Sequence, residues 1–249
     1  MIHLRTPEEI EKMRVCGRIV AETLQLIGRE IRPGVTTKQL ERLAVRYIRE
    51  QGAVAAFKGY HGYPGYICTS IDAEVVHGIP SDRRVLQEGE IVGIDIGVRL
   101  DGYFGDGAYT FAVGQVSPEK QRLMEVTAEA LRLGIQQARV GNYLSDIGHA
   151  IQSYVESQGM GVVRQLVGHG IGRELHEAPE VPNYGEPHKG PLLQAGMCIA
   201  IEPMVTLGSY DVEVLSDGWT VVTCDRLPSA HYEHTIAITA AGPRILTQA

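Results

Sequence analysis

Hydrophobic positions along the chain switch between two periods. From residue 6, apolar side chains recur at 10, 13, 20, 24, 27 and 31, which is one face of a helix. Thr6-Pro7-Glu8-Glu9 reads as its start: Thr6 caps, Pro7 fits the first turn, and Glu9 can complete a capping box. Pro33-Gly34 ends that helix, and Thr36 or Thr37 opens a second running to Gly52. From there to residue 113 the apolar residues come in short β-type runs. Ser117-Pro118-Glu119 begins a third helix, Ser145 caps a fourth that ends near Gly159, and β-type runs return.

Two helices then strands, twice over, is the order of a duplicated chain. A shift of 107 residues lays RPGVTTKQLERLAVRYIREQG (32 to 52) on RVGNYLSDIGHAIQSYVESQG (139 to 159), matching Arg, Gly, Tyr, Gln and Gly. The same shift lays LQEGEIVGIDIGV (86 to 98) on LQAGMCIAIEPMV (193 to 205), so Asp95 falls on Glu202. Two related halves facing each other would bring such positions together near a pseudo-twofold axis. Two copies are too few for a solenoid, so one compact α+β domain over 1–249 is expected, with repeats at about 6–113 and 117–239.

Within the first β region, IVGIDIGVRLDGYFGDGAYTF (91 to 111) places an aspartate in each of two core-like runs around Asp101-Gly102. If that dipeptide is a two-residue hairpin turn, Leu100 faces Tyr103, Asp95 faces Ala108 and Asp106 faces Gly97. Asp95 and Asp106 then share a face, one diagonal step apart. Close like charges in an interior are unfavourable unless protonated, paired or bound to metal. Glu202 interrupts MCIAIEPMV, Glu233 sits in HYEHTIAIT, and His169 lies in GHGIG. Each alone has an ordinary structural explanation. Together, four carboxylates and an imidazole form an oxygen-rich set suited to two divalent cations.

Composition narrows the partners. The 249 residues are 44% hydrophobic and 21% charged, with a net charge of -7 and a sequence pI near 5.7. That balance argues against a broad phosphate-binding face, so nucleic acid is not the expected partner. The polar start MIHLRTPEEIEKM is no signal peptide, and no apolar run is long enough to cross a bilayer, so a cytoplasmic protein is expected. Cys16, Cys68, Cys198 and Cys224 lie far apart without a CxxC pair, which suits reduced thiols.

GHGIGRELHE, IEPM, YEHTIAIT, VVHGIP and the Asp95/Asp106 hairpin resemble type I methionine aminopeptidases of the pita-bread metallopeptidase superfamily, over nearly the whole chain. The resemblance implies a central curved antiparallel sheet covered by helices, and a dinuclear site of Asp95, Asp106, His169, Glu202 and Glu233 holding two divalent ions: Co, Mn, Fe or Zn. It implies removal of N-terminal methionine from newly made polypeptides, by attack of a metal-bridging hydroxide on the first peptide bond. Glu202 would exchange protons as well as ligate, His176 would hydrogen-bond the oxyanion, and His77 would contact substrate backbone. Phe57, Tyr60, Tyr63, Cys68, Leu175 and Trp219 would surround the methionine side chain, an apolar, soft-walled setting for a thioether. A free α-amine bound to metal would explain an exopeptidase. A monomer is implied, and any transient ribosome contact would use the domain surface.

Some positions depart from the family pattern. Gly107-Ala108 follows Asp106 where many members carry a hydroxyl residue, Asp72 stands where an Asn is usual, and Leu175 replaces an aromatic found in some members. Weaker support of Asp106 and a roomier pocket are the expectations. X-Pro aminopeptidases and prolidases share the five-ligand plan, but they usually read Glu-Pro-Gly where Glu202-Pro203-Met204 stands. A non-catalytic relative would be expected to have lost ligands, and all five are here.

Overall fold

Three of the four helices begin where a hydroxyl accepts an amide of the first turn. The computed structural model describes residues 1–249. Thr6 caps α1 (Pro7–Glu30) with Glu9 closing the capping box, and Thr36 caps α2 (Thr37–Glu50) with Gln39 in the same role. Strands β1 (Val54–Ala55), β2 (Cys68–Ile71), β3 (Glu74–Val76), β4 (Ile91–Leu100) and β5 (Tyr103–Ala112) follow. Ser117 caps α3 (Pro118–Gln137), and α4 (Leu144–Ser157) comes next. The remainder is β6 (Gly161–Val162), β7 (Gly168–Gly170), β8 (Glu177–Val181), β9 (Cys198–Ile201), β10 (Met204–Thr206), β11 (Val212–Val214), β12 (Val221–Thr223), β13 (Ser229–His231), β14 (His234–Thr239) and β15 (Gly242–Ile245).

The cap of α4 differs from expectation. The helix starts at Leu144, and the Asp146 carboxylate accepts the Tyr143 amide at 2.8 Å. Ser145 lies inside the first turn, its hydroxyl accepting the Lys189 amide at 2.8 Å. The N3 carboxylate thus takes up the amide of the N-cap residue, the half of a capping box that needs no capping hydroxyl.

The 107-residue shift holds in three dimensions. It carries α2 onto α4, β1 onto β6, and the Thr36–Val85 bridge onto Tyr143–Leu192. It also carries the pairs Val54–Arg99 and Ala55–Val98 onto Gly161–Thr206 and Val162–Val205. Even the left-handed glycines correspond: Gly34 at φ 90° with Gly141 at 91°, and Gly52 at 74° with Gly159 at 75°. Long strand β4 maps onto β9 and β10 together, which Glu202-Pro203 separate.

In the first half β4 pairs with β5 along its whole length, Leu100 facing Tyr103 and Ile91 facing Ala112 around the Asp101-Gly102 turn. In the second half β15, β14, β9, β7 and β8 lie side by side. The Glu233 amide donates to the Ala108 carbonyl at 2.9 Å, which ties β5 to the segment entering β14 and makes the two halves one curved antiparallel surface. Helix α1 lies so close to β5 that a Cβ on Gly105 would come within 2.7 Å of the Gly17 nitrogen. Its buried residues join a core with α2 and β4, while α3 and α4 cover a second core over β9 and β14. The molecule is thus a pita-bread fold: duplicated halves, a shared sheet, and helices outside.

Gly34→Ala and Gly141→Ala test the equivalence of the halves. Both positions are left-handed with no atom within 4 Å of an added Cβ, so only backbone strain is altered. Each substitution is expected to cost about 1 kcal/mol in urea unfolding, the two agreeing within roughly 0.5 kcal/mol. A large cost at one and none at the other would show that the turns are not equivalent.

Candidate metal centre and side-chain pocket

Three of the five proposed ligands stand on strands and two in breaks between strands. Asp95 and Asp106 stand on one face of the β4–β5 hairpin, opposite Ala108 and Gly97. Glu202 occupies the break between β9 and β10, and Glu233 the break between β13 and β14. His169 lies between glycines because the strands crowd there: a Cβ on Gly168 would meet the Ala200 oxygen, and one on Gly170 the Ala178 oxygen, each at 2.3 Å. The Asp106 main chain is braced from across the sheet by Thr235, whose hydroxyl accepts the Asp106 amide at 3.0 Å and donates to its carbonyl at 2.7 Å.

The side chains converge. Ligand atoms of Asp95, Asp106 and Glu233 lie within 4.8 Å of one another, and so do those of His169, Glu202 and Glu233. His169 donates its Nδ1–H to the Gly170 carbonyl at 2.9 Å, so Nε2 carries a lone pair. That nitrogen lies 3.7 Å from Asp106 Oδ2 and 3.6 Å from Glu202 Oε1. Asp95 Oδ1, Asp106 Oδ1 and Glu233 Oε1 are buried without any hydrogen-bond partner. Orphaned carboxylate oxygens around an imidazole lone pair fit hard or borderline divalent cations.

Electrostatics tell the same story. Burial pushes Asp95 up to about 7 and Glu202 up to about 8. Asp106 is raised well above the carboxylate range by burial and by Asp95 and Glu202, and Glu233 by burial and by Asp106 and Glu202. Burial, with His176 nearby, pulls His169 down to about 3, which keeps it neutral and able to ligate. Burial and His231 hold His77 down to about 4.

A cavity of about 220 Å³ opens onto this cluster, and its wall contains every one of the thirteen residues singled out from sequence. Phe57, Tyr60, Tyr63, Cys68, Leu175 and Trp219 supply its apolar, aromatic and thiol wall, with Cys68 paired across the sheet with Asp95. The Tyr63 hydroxyl is anchored on the Ile67 and Gly78 carbonyls, and its ring meets Trp219 edge-on at 5.2 Å. The loop bearing Leu175 and His176 is pinned by Glu177, which accepts the Arg173 and Glu174 amides and pairs with Arg5. A second, wider cavity of about 520 Å³, bordered by Leu166 and Met204, shares His77, His169, His176 and Glu202 with the first.

Two wall or support residues escaped the sequence reading. His61 lines the pocket from a left-handed position (φ 47°), edge-on to Tyr60 at 4.4 Å. His231 is 3% exposed, and its Nε2 has no partner but lies 3.6 Å from Glu202 Oε2. Its period-2 spacing from Glu233 was the available signal. Asp72, at φ 52°, accepts the Ile91 amide at 3.1 Å and pairs with the Lys120 ammonium at 2.6 Å, so its charge is already engaged.

These shifts set a pH dependence. A carboxyl that titrates near 4 when unfolded but near 7 to 8 in the fold keeps its proton longer when folded, so stability falls as pH rises across that window. Divalent ions remove the penalty by holding the ionised form. The gap in Tm between ion-loaded and chelated protein is therefore expected to widen from pH 5.5 to 8.5. A gap constant over that range would contradict the crowding of ionised carboxylates.

Comparison with known proteins places the chain in a family. Residues 11–240 match the model of metallopeptidase family M24. A methionine aminopeptidase of Clostridium acetobutylicum is 55% identical over 247 residues, covering 99% of both chains. The crystal structure of methionine aminopeptidase from Thermotoga maritima superposes with a TM-score of 0.99 at 46% identity, covering 100% of each. An Xaa-Pro dipeptidase from Bacillus anthracis, 22% identical with a TM-score of 0.78 over 99% of this chain and 62% of that one, shares the fold alone. The chain belongs to metallopeptidase family M24, among its methionine aminopeptidases.

Proposed function

We propose that residues 1–249 form a single catalytic domain, with pseudo-repeats at about 6–113 and 117–239, that hydrolyses the first peptide bond of polypeptides beginning with methionine. The observation that carries this reading is one cavity whose wall joins a buried carboxylate–imidazole cluster to aromatic and thiol side chains. Asp95, Asp106, His169, Glu202 and Glu233 would hold two divalent ions, with Co, Mn, Fe and Zn all compatible with the donor set. Such ions supply an activated water near neutral pH and polarise a carbonyl.

The chain's own residues do the rest. The first side chain enters between Tyr63, Cys68 and Trp219, where sulfur meets aromatic edges and a thiol. The following residues leave through the wider cavity, past Met204. His77, kept neutral by burial, contacts the substrate main chain. Glu202 takes the proton from the attacking water and passes it to the departing amine. His176 donates a hydrogen bond to the carbonyl oxygen as it gains charge. A free α-amine, required if it binds metal, would make the enzyme an exopeptidase.

Residue identities weigh against proline-linked substrates: Met204 follows Glu202-Pro203, and His234 follows Glu233. The complete ligand set weighs against a non-catalytic binding role. No helix is long and apolar enough to cross a membrane. A cytoplasmic monomer acting on newly made chains, with no specific nucleic-acid or membrane partner and any ribosome contact transient and through the domain surface, fits these properties.

Met-Ala-Ser and Ala-Pro-Gly separate the readings within the fold. Anaerobic assays with Mn, Fe or Co are expected to release methionine from Met-Ala-Ser, only with metal, and to leave Ala-Pro-Gly intact. Preferential cleavage of the proline peptide would transfer the assignment to the X-Pro enzymes.

A further inference from the structure

Tyr60 and His176 are 116 residues apart and meet at the mouth of the pocket. The Tyr60 hydroxyl lies 3.0 Å from His176 Nδ1, with the rings edge-on at 5.1 Å. Both partners are held from behind. Tyr60 opens the tight turn Tyr60–Gly62, in which its amide donates to the Phe57 carbonyl and its own carbonyl accepts the Tyr63 amide. His176 follows the loop that Glu177 pins, and its ring packs edge-on against His169 at 4.0 Å. With Nδ1 directed at the phenol, Nε2 is the nitrogen left for the reaction centre. One ring nitrogen of His176 lies within 4.8 Å of ligand atoms of Asp106 and His169.

The direction of this hydrogen bond decides what His176 can do. A neutral imidazole carries one N–H and one lone pair. If the phenol donates to Nδ1, the proton sits on Nε2, and Nε2 can donate to an oxyanion. If Nδ1–H donates to the phenol oxygen, Nε2 is a bare lone pair that would repel one. A phenol O–H is the stronger donor and an imidazole nitrogen the stronger acceptor, so the first arrangement is favoured.

We propose that Tyr60, beyond walling the side-chain pocket, is a positioning residue that fixes His176 as the Nε2–H tautomer through its hydroxyl. The inference rests on the reading of His176 as the oxyanion donor. Removing only the hydroxyl leaves the aromatic wall in place, so recognition of methionine and the assembly of the donor set are separable from this effect.

Nitrogen-15 NMR of histidine rings in the Zn-loaded chain reads the tautomer directly. The expected result is Nε2–H at His176 in the unaltered protein and a mixture in Tyr60→Phe. Nδ1–H in the unaltered protein, or an unchanged Nε2–H signal in the variant, would overturn the proposal without any assay of turnover. Tyr60→Phe is also expected to lower kcat on Met-Ala-Ser by about tenfold or more with KM and the preference for methionine over leucine nearly unchanged. In a His176→Ala background the same change should add almost nothing. A full additional loss there, or a change confined to KM, would overturn the positioning role. If His176→Ala itself left kcat intact, the oxyanion reading, and the inference with it, would fall.

Discussion

The buried crowding of Asp95, Asp106, Glu202 and Glu233 is the constraint around which the molecule is organised. Few arrangements cost a fold more than ionised carboxylates that share an interior without counter-charge. Here the same four groups are lifted well out of the ordinary carboxylate range, chiefly by burial, and three of their oxygens have no hydrogen-bond partner. Such a cluster must be relieved by protonation or by positive charge, and near neutral pH bound cations would hold all four groups ionised. The neutral His169, its Nδ1–H engaged by the Gly170 carbonyl, offers a lone pair to a cation rather than a counter-charge to the carboxylates.

Duplication explains how the crowding is achieved. Each half brings one strand with a carboxylate in corresponding register, Asp95 on β4 and Glu202 between β9 and β10. Asp106 and Glu233 come from the neighbouring strands, joined directly by the Ala108–Glu233 main-chain hydrogen bond. The helices are matched copies on the outside, and the centre between halves is where the copies diverge: Tyr103–Ala112 is one long strand, while β13 and β14 are broken at Tyr232-Glu233. The break turns Glu233 inward and leaves His231 beside Glu202. Catalytic asymmetry arises on a nearly symmetric frame.

Much of this was legible in the chain because the signals were local. The capping boxes at Thr6/Glu9 and Thr36/Gln39, and the register set by Asp101-Gly102, each depend on residues within a few positions. The 107-residue shift extended that reading across the axis. The site's thirteen residues became legible through family motifs more than through pattern, since spacing alone left His169, Glu202 and Glu233 with ordinary explanations. What stayed hidden depended on packing between distant segments. Tyr143 opens α4 because Asp146 serves its amide, although no capping hydroxyl marks the position. Thr235 braces the Asp106 main chain from β14. His61 reaches the pocket through a left-handed turn that no periodicity announces.

The most direct measurement of the central claim is a count of ions. Chelator-stripped protein titrated with Mn under anaerobic conditions, followed by calorimetry and elemental analysis, should take up two ions per chain and release protons as it does so, with Asp106→Asn losing uptake. A folded chain that binds no divalent ion saturably, or whose uptake is indifferent to Asp106, would contradict a carboxylate cage built to hold paired cations.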